Sequence, residues 1–167
     1  MHPIVRSFLR AHLGSRQVAR VIYGAIIGLA LVVALEAHPP APSAVIATLL
    51  GTTVAVALAE FYSEFVGFEA TRRQEVSPEE MRHLRADIAA VSFGIAFPYV
   101  FFVLAAADVL SDDAAFTVAK WAGLGLIGLY GFAGARLSGA GFAASVIKAT
   151  GVALIGAALI GLKAVVH

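Results

Sequence analysis

Apolar residues in this chain fall into five long runs, separated by short stretches rich in charged residues, proline or glycine. Each run has about the 20 residues that an α-helix needs to cross the hydrocarbon core of a bilayer. The pattern therefore predicts an all-α membrane bundle of about five transmembrane helices. The predicted spans cover residues 18–36, 43–67, 87–108, 113–136 and 141–166.

Local helix signals support these boundaries. Ser77, followed by Pro78 and Glu80, has the pattern of a capping box at the start of a short amphipathic helix. This start lies in a charged connection, residues 68–86, between the second and third spans. Pro98, inside the third span, has no N–H to donate and therefore predicts a kink near the middle of the membrane.

The positions of the basic residues predict the orientation of the bundle. Only Lys120 and Lys163 fall on one side of the five-span arrangement. The opposite side holds Arg6, Arg10, Arg16, Arg20, Arg72, Arg73, Arg82, Arg85 and Arg136. Because basic residues accumulate on the cytoplasmic side, we expect a cytoplasmic amphipathic segment at residues 1–17. Residues 18–167 then form a single transmembrane domain that ends outside, and we expect a bacterial inner membrane.

The first run admits a second interpretation as a cleaved signal peptide. Basic residues precede the run, and small residues follow it around positions 41–44. About 20 residues precede the run, which is more than the basic region of ordinary signal peptides contains. We therefore favour a retained span.

Composition narrows the classes of function. Hydrophobic residues make up 60% of the chain and charged residues 14%, which calls for lipid as the solvent. Twelve basic and eleven acidic side chains nearly cancel, so no broad positive field favours nucleic acid. Cysteine is absent, so a metal site must use oxygen or imidazole ligands. The sequence contains no nucleotide-binding glycine loop, zinc signature or nucleophile elbow, and therefore predicts neither an enzyme nor a permanently bound cofactor.

Two carboxylates lie inside the second predicted span. Glu60 and Glu64 are one turn apart on the same helix face. An ionised carboxylate in hydrocarbon costs at least about 2.5–3.5 kcal/mol, so each submerged acid needs compensation. Two neighbouring carboxylates repel one another, and one of them tends to hold a proton until a cation displaces it. The pair therefore predicts metal and proton ligands.

Polar neighbours leave a second interpretation open. Tyr62 and Ser63 are candidates for lining an ion path, and Glu69 for gathering metal at its cytoplasmic mouth. Lys148 has a similar depth in the fifth span and could pair with Glu60 or extend its long stem to the headgroups. In the pairing alternative the acids serve helix packing and no ion moves.

Two further patterns favour structural roles. Gly24 and Gly28 form a GxxxG pair that predicts close helix contacts within or between subunits. Acids at the outer turns, including Glu36 and Asp108, are expected to be solvated turn and cap residues.

The stretch from Ala59 to Glu75 (AEFYSEFVGFEATRRQE) resembles the end of the second helix in the vacuolar iron transporter family. That family has a Gly-Glu-Tyr-Val-Ser pattern there, leading into a basic segment that contains glutamine. Residues 90–98 (AVSFGIAFP) resemble its third helix, with a Ser-Phe pair and a downstream proline. Residues 128–162 resemble its glycine-rich last two helices.

This resemblance implies a homodimeric exchanger that moves Fe²⁺ or Mn²⁺ out of the cytosol against protons. Glu64, and by proximity Glu60, would take the role of the second-helix carboxylates. Two departures keep a non-transporting, structural or regulatory relative as the alternative. The family's Asp-Gly pair in the first helix is matched here by Tyr23-Gly24, and the glutamate-rich cytosolic insertion of its eukaryotic members is reduced to residues 67–85.

Overall fold

Six helices make up the regular structure of the described part of the chain. The computed structural model describes residues 15–72 and 77–166, with side chains over residues 16–67 and 77–161. The helices are α1 (Ser15–Leu35), α2 (Pro42–Arg72), α3 (Pro78–Ala96), α4 (Tyr99–Ala106), α5 (Asp112–Leu137) and α6 (Phe142–Val166). Most of the predicted N-terminal segment, residues 1–17, lies outside the described residues, as do residues 73–76 of the predicted charged connection.

The predicted all-α membrane bundle is confirmed. Four helices, α1, α2, α5 and α6, are each long and apolar enough to cross a bilayer. The bent pair of α3 and α4 passes the same test when its two parts are taken together, which gives up to five spans. The chain is therefore built as a multi-pass membrane protein.

Helix α3 starts at the predicted capping box, but it is not the short separate helix that the sequence predicts: it continues without a break through Asp87 into the third predicted span and ends at Ala96, just before Pro98. The Ser77 hydroxyl accepts the Glu80 N–H at 3.2 Å, and the Glu80 carboxylate accepts the Ser77 N–H at 2.9 Å, so the capping box is formed. Pro98 lacks the N–H that would bond to Gly94, and the helix axis turns by 45° between α3 and α4. The predicted kink is therefore a full break in the span.

Helix α1 is the centre of the bundle. Of its apolar segment 44% is buried, compared with 11% for the apolar segments of α2 and α6. It packs mainly against α3 and α5, whereas α2 packs mainly against α3 and α4. Helices α1 and α2 therefore touch only slightly, and α2 and α6 lie at the periphery.

Two glycines let α1 approach α3 closely. A Cβ atom on Gly24 would overlap the carbonyl oxygen of Val91, and one on Gly28 would lie 2.8 Å from the carbonyl oxygen of Ile95. Gly94 on the facing helix is packed against the α1 backbone in the same way. The close contact predicted for the GxxxG pair lies within the chain.

Candidate functional site at the arginine-rich end

Arg20, in the second turn of α1, contacts both carboxylates of α2. Its Nη1 donates a hydrogen bond of 2.7 Å to Glu60 Oε2, and its Nη2 lies 3.4 Å from Glu64 Oε1. The side chains are 24% exposed for Arg20, 19% for Glu60 and 36% for Glu64. These three residues, the Arg20 cluster, are partly buried and most open to their surroundings at Glu64.

The shape of the guanidinium explains how one side chain reaches both acids. Glu60 and Glu64 are four residues apart and thus share one side of α2. The planar fork of Arg20 carries several N–H groups that point toward separate acceptors. Because α1 and α2 pack only slightly against each other, the Arg20 cluster is a polar bridge between two helices.

Charge in the Arg20 cluster does not balance when all three groups are ionised. Two carboxylates (−2) and one guanidinium (+1) leave a formal charge of −1. Solvent screens part of this charge at Glu64, while the less exposed Glu60 depends more on its ion pair. A proton or an additional cation would complete the neutralisation.

A second ion pair lies beside the cluster and links α1 to α3. Arg16 Nε is 3.5 Å from Asp87 Oδ2. The Asp87 side chain is only 9% exposed, whereas the Arg16 side chain is 70% exposed. Asp87 Oδ1 is buried and accepts no hydrogen bond within the described residues, a condition that costs stability. Successive turns of α1 thus bind acids on two different helices.

The sequence-based alternative proposed Lys148 as the partner of Glu60. Instead, Glu60 pairs with Arg20, and Lys148 is exposed on α6. The signal that could have identified the actual partner is the pair Arg16 and Arg20, which are spaced by one turn immediately before an apolar run. A basic side chain at that position must either reach a headgroup or find an acid.

The other predicted pathway residues are not drawn into the Arg20 cluster. Tyr62 is 70% exposed, and Ser63 is exposed as well. Neither side chain forms a hydrogen bond with another residue in the part of the chain that the structure describes. The Glu69 side chain lies outside the described residues.

Among the described side chains, residues 16–67 and 77–161, no group of three or more histidine and acidic side chains comes together as a metal site. A cation held by Glu60 and Glu64 would thus have two protein carboxylates. Water or backbone oxygen would complete its coordination shell, as is common for hard divalent ions.

A further ion pair at the opposite end of α1 was not predicted. Lys120 Nζ of α5 donates to Glu36 Oε1 at 2.6 Å, with side chains 18% and 22% exposed. From the sequence, Glu36 is expected to be a solvated turn residue. Hydropathy does not show that α5 lies next to α1, and therefore does not show that Lys120 comes close to Glu36. Helix α1 therefore has ion pairs to other helices at both ends.

No family model, curated protein or solved structure matches this chain. The resemblance to the vacuolar iron transporters thus rests on short sequence motifs alone. The function has to be argued from the residues and their geometry.

Proposed function

We propose that this protein is a proton-coupled transporter that moves a divalent cation, such as Fe²⁺ or Mn²⁺, out of the cytosol. Glu60 and Glu64 would be the cation and proton ligands. The observation that supports this proposal is that two carboxylates, one turn apart on a helix of spanning length, both face a single positive charge. Carboxylate oxygens suit hard and borderline divalent ions.

Charge balance suggests how such a cation would bind. A divalent ion and two carboxylates are neutral together, whereas the same set with Arg20 still in place carries a charge of +1. Arg20 would therefore leave the carboxylates when the cation arrives. When Arg20 returns, one proton on either acid restores neutrality, which ties cation movement to proton movement.

The position of α2 is compatible with access to the site. Only 11% of its apolar segment is buried, and Glu64 is the most exposed member of the Arg20 cluster. We further propose a bacterial inner membrane and a homodimer, in which the peripheral helices would meet lipid or the second copy.

A non-transporting membrane protein is the second candidate. It is favoured by the 2.7 Å hydrogen bond between Arg20 and Glu60, because this ion pair already compensates Glu60 without a transported cation. In this case the Arg20 cluster would only hold α1 and α2 together. The missing acid in the first span also favours this candidate.

Flux measurements separate the two candidates. The protein would be reconstituted in vesicles that report lumenal Mn²⁺ and lumenal pH, as wild type and as Glu60→Gln and Glu64→Gln. We expect Mn²⁺ uptake with proton movement in the wild type. Each variant should show at least about 10-fold less uptake, because even the loss of a residue that only supports a metal ligand costs about 10- to 100-fold.

Glu79→Gln is the matched control, because the Glu79 side chain is 74% exposed on α3 and pairs only at the surface. Its flux should equal that of the wild type. Wild-type vesicles that take up no more Mn²⁺ than empty vesicles would rule out transport of this ion. Full flux in both glutamine variants would instead remove Glu60 and Glu64 from the pathway.

A further inference from the structure

Lys148 differs from the other charged side chains that lie well inside α1, α2, α5 and α6. Among the described side chains more than one turn from a helix end, the others are ion-paired, namely Arg20, Glu60, Glu64 and Lys120. The Lys148 side chain is exposed and forms no ion pair or hydrogen bond within the described residues. Its ammonium group therefore needs a partner from outside this part of the chain.

The surroundings of Lys148 are those of a lipid-facing surface. Its neighbour Ile147 is 71% exposed, and Leu154 and Ile155, about two turns further along α6, are 62% and 54% exposed. Gly151 has no atom within 4 Å of the place that a Cβ would occupy. The Lys148 side chain is thus attached to a helix face that is apolar and not covered by other described residues.

Depth and direction decide where the ammonium group can go. Lys148 comes six residues after Phe142, the first residue of α6, which is about 9 Å along the helix axis. That distance is less than the half-thickness of the hydrocarbon core, about 15 Å. Because helical Cα–Cβ bonds tilt toward the N-terminus, the lysine stem extends toward the headgroups at the arginine-rich end.

We propose that Lys148 binds the phosphate headgroup of an anionic phospholipid in the leaflet at the arginine-rich end of the bundle. An ammonium group donates charge-assisted hydrogen bonds to phosphate oxygens. Arg82, Arg85 and Arg136 lie at the same end, and basic residues near a membrane surface attract anionic lipids.

A second copy of the chain fits this position less well. Helix α6 contains no acidic residue from Phe142 to Val166. A symmetric contact between two α6 helices at this depth would bring one Lys148 toward the other, and the like charges would repel. A lipid phosphate supplies the missing negative charge without this repulsion.

Native mass spectrometry of the detergent-solubilised protein, titrated with phosphatidylglycerol, tests this proposal. We expect Lys148→Gln to weaken the tightest phosphatidylglycerol site about fivefold, the effect of one basic residue near a charged membrane surface. Lys148→Arg should retain the site, because the charge remains. Phosphatidylcholine, which has no net charge, should bind more weakly than phosphatidylglycerol.

Ile147→Gln is the matched control, since it places the same amide on the adjacent exposed position and keeps Lys148. It should bind phosphatidylglycerol like the wild type. Wild-type affinity in Lys148→Gln, an equal loss in Ile147→Gln, or equal binding of both lipids would overturn the proposal. A dimer in the spectra that Lys148→Gln dissociates would overturn it too, by identifying the partner as a second copy.

Discussion

Arg20 of α1 donates a 2.7 Å hydrogen bond to Glu60 of α2, although these two helices pack only slightly against each other. The central helix of the bundle is thereby linked to a peripheral helix through charge rather than through apolar packing. Any cation that reaches Glu60 must compete with this guanidinium, and any structural role of Glu60 depends on it.

Replacing Arg20 tests how much the bridge contributes to stability. Arg20→Gln leaves two carboxylates facing each other without a cation, and we expect a loss of about 1–3 kcal/mol in the free energy of unfolding. That range lies below the value for a fully buried pair because the groups are 19–36% exposed. Thermal unfolding in detergent measures the change.

Arg82→Gln is the control, because Arg82 is 77% exposed and lies 3.8 Å from Glu79. Its stability should stay within about 0.5 kcal/mol of the wild type. If Glu60 and Glu64 bind a cation, Mn²⁺ should also raise the melting temperature of Arg20→Gln more than that of the wild type. Equal stability of Arg20→Gln and wild type would show that the bridge is energetically unimportant.

The glycine contact between α1 and α3 predicts a strong steric effect. Gly24→Ala places a methyl group against the carbonyl oxygen of Val91, and the helices must separate, which costs about 1–3 kcal/mol. Gly125→Ala is the matched control, since no atom lies within 4 Å of its added methyl group. Alanine's higher helix propensity makes the control neutral or slightly stabilising. Equal melting temperatures for both variants would contradict the close contact.

Replacing Asp87 should affect stability much less than replacing Arg20. Its buried Oδ1 has no described partner, and its ion pair reaches an arginine that is 70% exposed. Such a pair contributes little, so Asp87→Asn, which removes the buried charge and keeps the shape, should change the unfolding free energy by less than about 1 kcal/mol. Chemical denaturation measures this difference. A loss as large as that of Arg20→Gln would show that Asp87 stabilises the bundle.

The ion pair at the other end of α1 can be measured as a coupling energy. Glu36 and Lys120 are 2.6 Å apart and about four-fifths buried, so we expect a coupling of about 1–2 kcal/mol, above the usual range for exposed pairs. The measurement is a double-mutant cycle of Glu36→Gln and Lys120→Gln. Strictly additive single effects would mean that each side chain acts through other contacts.

The sequence predicts the spans well because bilayer thickness fixes the length of each apolar run. Pro98 and Ser77 affect only the backbone hydrogen bonds of residues close to them in the sequence. The helix break and the capping box can therefore be predicted without knowledge of the fold. Helix α2 continues to Arg72, beyond the predicted span end at residue 67, because a helix leaving the membrane needs no breaker at the interface.

Helix neighbours could not be predicted in the same way. Glu60 and Arg20 are 40 residues apart, and hydropathy gives each span without saying which spans touch. The depth of Glu60 predicts that it needs a basic partner. From the sequence alone, Lys148 is as good a candidate for that partner as Arg20. Only the packing of α1 at the centre of the bundle distinguishes them.

The most direct test of cation and proton exchange at Glu60 and Glu64 is Mn²⁺ uptake into vesicles with an imposed pH gradient. With the wild-type protein, an acidic lumen should accelerate Mn²⁺ entry, because lumenal protons leave in exchange. The Glu60→Gln, Glu64→Gln double variant should show no response to the gradient. Two results would contradict the proposed exchange at these carboxylates. One is a wild-type uptake rate that does not depend on the pH gradient, and the other is an uptake rate that depends on the gradient equally in the wild type and the double variant.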